Sequence, residues 1–177
     1  RIGAKSSVVV TIDPVSNGTV VDVTPTVVAD GINVKSFFIQ PAAGYYLSSL
    51  QCGLMDVYNQ VVVAPSADGL LYSYIPTSDA NLIAQFSPIS TWGGATSMPK
   101  ANVVRDTLLI YTAEELAWLA TQTNNGTETF LGKHIILMND LNLGGVYNPV
   151  TTGWSGQEWS PIGKLALANR FKGDFDG

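Results

Sequence analysis

The first 88 residues contain six Asp and not one Glu, whereas residues 89–177 contain four of each. Glu favours helix interiors and Asp favours turns, so the first half reads as strand and turn, with the helical potential in the second half. Val, Ile and Thr are abundant throughout and suit pleated, half-buried surfaces. Only 13% of residues are charged, against about 25% in an average soluble domain. No apolar run approaches the ~18 residues of a membrane-spanning helix. The formal net charge is −5 with nine scattered basic residues, which offers no footprint for nucleic acid. Cys52 and His134 are the sole residues of their types. They exclude a disulfide framework and a cysteine zinc cluster, and leave no partner for most histidine-based sites. The opening Arg1-Ile2-Gly3 lacks a Met or a secretory apolar core and reads as a processed or excised end.

Turn signals divide the first half into short strands. Val8 to Ile12 is stopped by Asp13-Pro14, and Thr19 to Val23 follows the Asn17-Gly18 turn. Asp30-Gly31 precedes Val34 to Ile39, and Pro41 to Gly44 separates that strand from Tyr45 to Gln51. Further strands fit Val57 to Ala64, Leu70 to Ile75 and Asn81 to Phe86. Such spacing predicts a small β-sandwich or β-grasp-like module over 1–87. Residues 88–107, with Pro88, Gly93, Gly94 and Pro99, read as a linker.

The second half opens with a strand over Leu108 to Tyr111 and a helix near 113–122. Thr112 and Glu115 stand at capping-box spacing, Leu116, Leu119 and Ala120 form the apolar stripe, and Asn124-Asn125-Gly126 supplies the stop. From Lys133 the period becomes two, with Ile135, Leu137, Asn139, Leu141 and Leu143 on one face.

Two resemblances follow from these blocks. Val8 to Pro14, Asn17 to Val20, Val34 to Pro41, Ala43 to Leu47, Tyr72 to Pro76 and Asp79 to Phe86 resemble a divergent InlB-type B-repeat of bacterial surface proteins, although Cys52-Gly53-Leu54 replaces the usual Asn-Gly turn. Thr112 to Leu116, Leu119-Ala120, Gly132 to Leu137, Asp140 to Leu143, Trp159 to Gly163 and Phe171 to Gly177 resemble the opening of a GLUG-motif β-helix. The second resemblance implies the N-terminal cap and first rungs of a right-handed parallel β-helix over 108–177, truncated at Phe175-Asp176-Gly177, with Asp176-Gly177 as a turn. Together they imply a mostly β, exported protein of the bacterial cell surface, extracellular and outer-membrane associated.

Chemical candidates are few. His134 lacks a second ligand or base, and Cys52 reads as a small core residue. Asp174 and Asp176 share a face if extended, but no sugar groove accompanies them, and with Asp140 they do not complete a calcium loop. No catalytic residue, metal site or cofactor is therefore expected. Aromatic side chains are the candidates for contact with a partner: Trp92, Trp154, Trp159, Tyr45, Tyr46, Tyr72 and Tyr74. Trp159 and Tyr45 read as core residues, leaving Trp92 and Trp154, both in loops, as the binding candidates. The expected role is a non-catalytic adhesin-like or spacer module towards a host or bacterial glycan or protein, without nucleic acid and without a membrane span. The alternatives are the N-terminal part of a β-helical polysaccharide lyase or surface protease acting through residues beyond Gly177, and a structural stalk or assembly subunit.

Overall fold

A computed structural model describes residues 7–177 except 25–26, 29–31, 53–54, 57–61, 67–68, 103–105 and 152. The chain is mostly β and divides into two compact units, residues 1–88 with 102–104, and residues 89–101 with 105–177.

The first unit holds β1 (Ser7–Val8), β2 (Val10–Ile12), β3 (Gly18–Asp22), β4 (Val27–Val28) and β5 (Lys35–Pro41). It continues with β6 (Tyr45–Cys52), β7 (Met55–Asp56), β8 (Val62–Ser66), β9 (Gly69–Tyr74) and β10 (Ala80–Pro88). One four-stranded sheet runs β2-β10-β6-β7 and another β3-β5-β9-β8, while β1 pairs with β4. The strand expected from Val8 to Ile12 is thus two strands in different sheets. The Val9 N–H donates to Asp79 Oδ1 at 2.8 Å, which interrupts the ladder where the chain changes partners. Alternation on β5 buries Lys35, Phe37 and Ile39, and the same period buries Tyr72 and Tyr74 on β9. On the other sheet Leu47, Leu50, Cys52 and Leu82 are buried. A hydrogen bond of 2.7 Å between Cys52 Sγ on β6 and the Tyr74 hydroxyl on β9 joins the two sheets. Much of the expected strand over 57–64 lies outside the described residues; its end forms part of β8.

Strand β11 (Lys100–Asn102) straddles the division, and the second unit is built on β12 (Thr107–Ile110), α1 (Ala113–Asn124), β13 (His134–Leu137), β14 (Val146–Asn148), β15 (Gly153–Ser155) and β16 (Asp174–Asp176). A sheet runs β11-β12-β13-β16, and β14 pairs with β15. Strands β12, β13 and β16 are parallel, and Leu108, Ile135 and Phe175 stand in one register column. Asp174 to Asp176 is therefore strand, which corrects the turn expected at Asp176; His134 and Ile136 hold it in the ladder as register partners of Asp174 and Asp176. The strand at His134 ends at Leu137 rather than running on to Leu143. The Asn139 side-chain amide there donates to the Tyr111 and Asp140 carbonyls, at 3.1 and 2.9 Å. Leu137, Leu141 and Leu143 still pack against the core.

Local chemistry explains α1. Thr112 is the N-cap, its hydroxyl accepts from the Glu115 N–H, and Glu115 Oε2 accepts from the N–H groups of Tyr111 and Thr112 at 2.7 and 3.2 Å. Asn125 caps the C-terminus, and Gly126 at φ +70° turns the chain away in a conformation that disfavours a side chain. Leu116 and Leu119 enter a core made by Leu108, Ile110, Phe130 and Ile135. Ala113 and Ala117, one turn apart, receive Trp92. Residues 89–101, expected as part of a linker, belong with this unit: Trp92 is buried, its backbone N–H donates to the Asn142 carbonyl at 2.9 Å, and the Ser97 N–H donates to the Glu114 carbonyl at 3.0 Å. Replacing the cap by Thr112→Ala should destabilise the second unit by about 1 kcal/mol, measured as a lower urea midpoint with an unchanged slope; an unchanged midpoint would mean the box does not hold α1.

Candidate functional site

Among the described residues, two hollows of the second unit share one wall. Trp159, half-buried, lines an open groove of about 300 Å³ and a second hollow of about 480 Å³. Trp92 contributes to the first and meets Trp159 edge-on, with ring centroids 5.2 Å apart and planes at 68°. The Trp92 indole N–H donates to the Ala95 carbonyl at 2.8 Å. Small side chains on α1, Ala117 and Ala120, leave the floor of the groove open, and Thr96, Asn125 and Lys164 add polar groups to its lining. Gly94 lines the same groove at φ +91°, and a Cβ there would meet the Gln157 side chain at 2.8 Å, so a larger residue would displace Gln157.

Asn124 sets this geometry. Nearly buried at the end of α1, it donates from Nδ2 to the Pro161 carbonyl at 2.8 Å and to the Ser160 hydroxyl at 3.3 Å. Its Oδ1 accepts the Gly163 N–H at 2.8 Å, and its backbone carbonyl accepts from the Asn169 side chain. One helix-terminal amide thereby ties down the loop that carries Trp159 at one end and Lys164 at the other.

The aromatic candidates divide once their burial is known. Trp92 is only 8% exposed, so it is a buttress of the groove and not an open platform. Its ring is seated on the Ala113–Ala117 surface of α1 and still forms part of the groove lining. Trp154 sits in β15 opposite Tyr147 of β14, and its side chain lies outside the described residues. Tyr72 and Tyr74 are buried in the first unit, and Tyr45 and Tyr46 are half-buried. Trp159, expected as core, is the residue common to both hollows. Lys164, Asn125 and Thr96 escape a sequence reading because single polar residues in loops carry no periodic or motif signal.

Cys52 belongs to the first unit and His134 to the second. His134 is exposed, with Nδ1 3.4 Å from Asp174 Oδ2. Asp174 and Asp176 are exposed on β16. No group of three or more potential metal ligands occurs among the described residues, and no helix there is long and apolar enough to cross a membrane. No protein-family model, curated protein or solved structure matches the chain.

Cys52 and Asp106 both titrate away from their ordinary values. Burial pushes the Cys52 thiol up, partly offset by its hydrogen bond with Tyr74. With 7% exposure, Cys52 should react with a thiol reagent near neutral pH only at the rate of unfolding; rapid labelling of native protein would contradict its burial. The Asp106 carboxylate is held below its ordinary value by the hydrogen bond from Lys133 and then by the charge of that ammonium. A depressed carboxyl pKa adds stability above the unfolded value and loses it as pH falls through the folded value. NMR titration should place Asp106 below an ordinary aspartate, and Lys133→Ala should return it upward; an unmoved midpoint would show that the pair is not formed in solution.

Proposed function

We propose that this chain is a non-catalytic binding module of an exported bacterial surface protein, and that it takes a glycan in the groove walled by Trp159. The first unit is read as a B-repeat-like sandwich or β-grasp module serving as spacer. The second is read as the capped opening of a right-handed parallel β-helix. The observation that carries the binding role is Trp159 itself, a half-buried indole lining two adjacent hollows. Indole rings stack on the apolar faces of sugar rings, and surrounding hydroxyl, amide and ammonium groups supply hydrogen bonds to sugar hydroxyls. Thr96, Asn125 and Lys164 furnish those groups beside the first hollow.

The architectural reading is supported by the parallel register of β12, β13 and β16, whose Leu108–Ile135–Phe175 column repeats one apolar position on successive strands. It is also supported by α1, whose Leu116 and Leu119 cover the same core. For the first unit, the Cys52–Tyr74 bond between two four-stranded sheets supports a layered module. The exposure of Asp174 and Asp176 on β16, with His134 exposed beside Asp174, supports a role in holding rather than transforming a ligand.

A glycan array on the intact chain, followed by calorimetry on the best binder, tests the proposal. Trp159→Ala should weaken that interaction at least tenfold, about 1.4 kcal/mol, while circular dichroism stays that of the parent. Absence of binding to every glycan, or full binding by folded Trp159→Ala, would overturn it. So would turnover of the bound polysaccharide.

A further inference from the structure

The first unit carries a lysine where its strand period calls for an apolar residue. Lys35 shares the inward face of β5 with Phe37 and Ile39, and its side chain has no exposed surface. Its Nζ lies 2.5 Å from Asp22 Oδ2 on the neighbouring strand β3 and 5.5 Å from the centroid of the Phe37 ring. Removing an ammonium and a carboxylate from water costs several kcal/mol per ion, so an isolated pair in a β-sheet core is a weak source of stability.

The surroundings of the pair are those of an amide. Asp22 Oδ1 accepts the Thr24 backbone N–H at 3.0 Å, while Lys35 Nζ donates to the Thr24 backbone carbonyl. If Nζ were bonded to Asp22 Cγ, the new N–H would find its acceptor in the Thr24 carbonyl. The remaining oxygen, Oδ1, would keep its donor in the Thr24 N–H. The strands are already in register: Asp22 stands opposite Phe37 in the β3–β5 ladder, two residues along from Lys35 on the same face. The Thr24 hydroxyl accepts the Ser36 N–H at 2.7 Å, and the Val23 N–H donates to the Ser36 carbonyl at 3.1 Å, so the backbone that presents both partners is fastened to β5.

We propose that the folded chain joins Lys35 to Asp22 through an intramolecular isopeptide bond. A proton passes from the Lys35 ammonium to Asp22 Oδ2, leaving a neutral amine beside a carboxylic acid. The nitrogen lone pair attacks Cγ, and the charge that develops on Oδ1 is held by the Thr24 N–H. A second proton moves from nitrogen to Oδ2, the Cγ–Oδ2 bond breaks, and water leaves past the partly exposed Asp22 side chain. Of the three ammonium hydrogens, two depart in the water and one stays on the amide. No other reactant is consumed. Fixed contact supplies the effective concentration, which for well-aligned intramolecular groups reaches about 10⁵–10⁸ M. The product staples β3 to β5 across the intervening segment and replaces a buried ion pair by a neutral, hydrogen-bonded amide.

Intact mass spectrometry of the folded full chain tests this directly. The protein should weigh one water less than its sequence, and tandem spectra should contain a branched peptide linking Asp22 to Lys35. Lys35→Arg, which keeps the charge and cannot form the amide, should restore the full sequence mass, as should Asp22→Ala. A native protein at full sequence mass would overturn the proposal. A missing water that persists in Lys35→Arg, or maps to a succinimide at one of the Asp-Gly pairs, would overturn it equally. The branched peptide is sought in the unsubstituted chain, so the result does not depend on either variant folding.

Discussion

The packing of Leu116 and Leu119 of α1 onto Leu108, Ile110 and Ile135 is the contact on which the second unit depends. Leu119, Ile110 and Ile135 are fully enclosed there, and burying an aliphatic side chain of this size is worth roughly 1.5–3 kcal/mol. The three parallel strands supply only short ladders, and short parallel strands need their faces covered. With α1 in place the next layer follows. Ala113 and Ala117 accept Trp92, Trp92 supports Trp159, and Asn124 fastens the loop beyond. The groove is thus a consequence of how the helix closes the core.

The first unit solves a different problem. It has no helix in its described residues and closes its core by strand alternation alone, with Phe37, Ile39, Tyr72 and Leu50 inward. Among the described residues, three polar groups share that interior, and each is matched: the Cys52 thiol with the Tyr74 hydroxyl, and Lys35 with Asp22 and Thr24. A buried polar group without a partner costs far more than a matched one contributes, so these pairs specify how the strands meet.

Legibility in the sequence follows the range of the interaction. The helix is legible because the Thr112–Glu115 box is a three-residue signal, and it extends only two residues past its expected end. Strands β5, β6 and β9 are legible because turns bound them and alternation fills them. The split at Val9 is not, because its cause, Asp79, lies 70 residues away. The same holds for 88–107, whose Gly and Pro content suggests a tether while Trp92 needs a surface formed by α1. Asp176-Gly177 is taken for a turn on the resemblance, because its parallel partner, Ile136, is distant in sequence. The site is half legible: Trp92 stands out by its loop position and is a buttress, whereas Trp159 reads as core and lines both hollows.

Whether α1 and the parallel strands form one cooperative core can be read from native-state hydrogen exchange resolved by residue. Amides of Leu119 and Ala120 should exchange with the same opening free energy as those of Ile110 and Ile135, at the highest protection in the second unit. If α1 exchanged by an independent, lower-energy opening while β12 and β13 stayed protected, the helix would be an ornament on the ladder, and the groove would not owe its shape to helix closure.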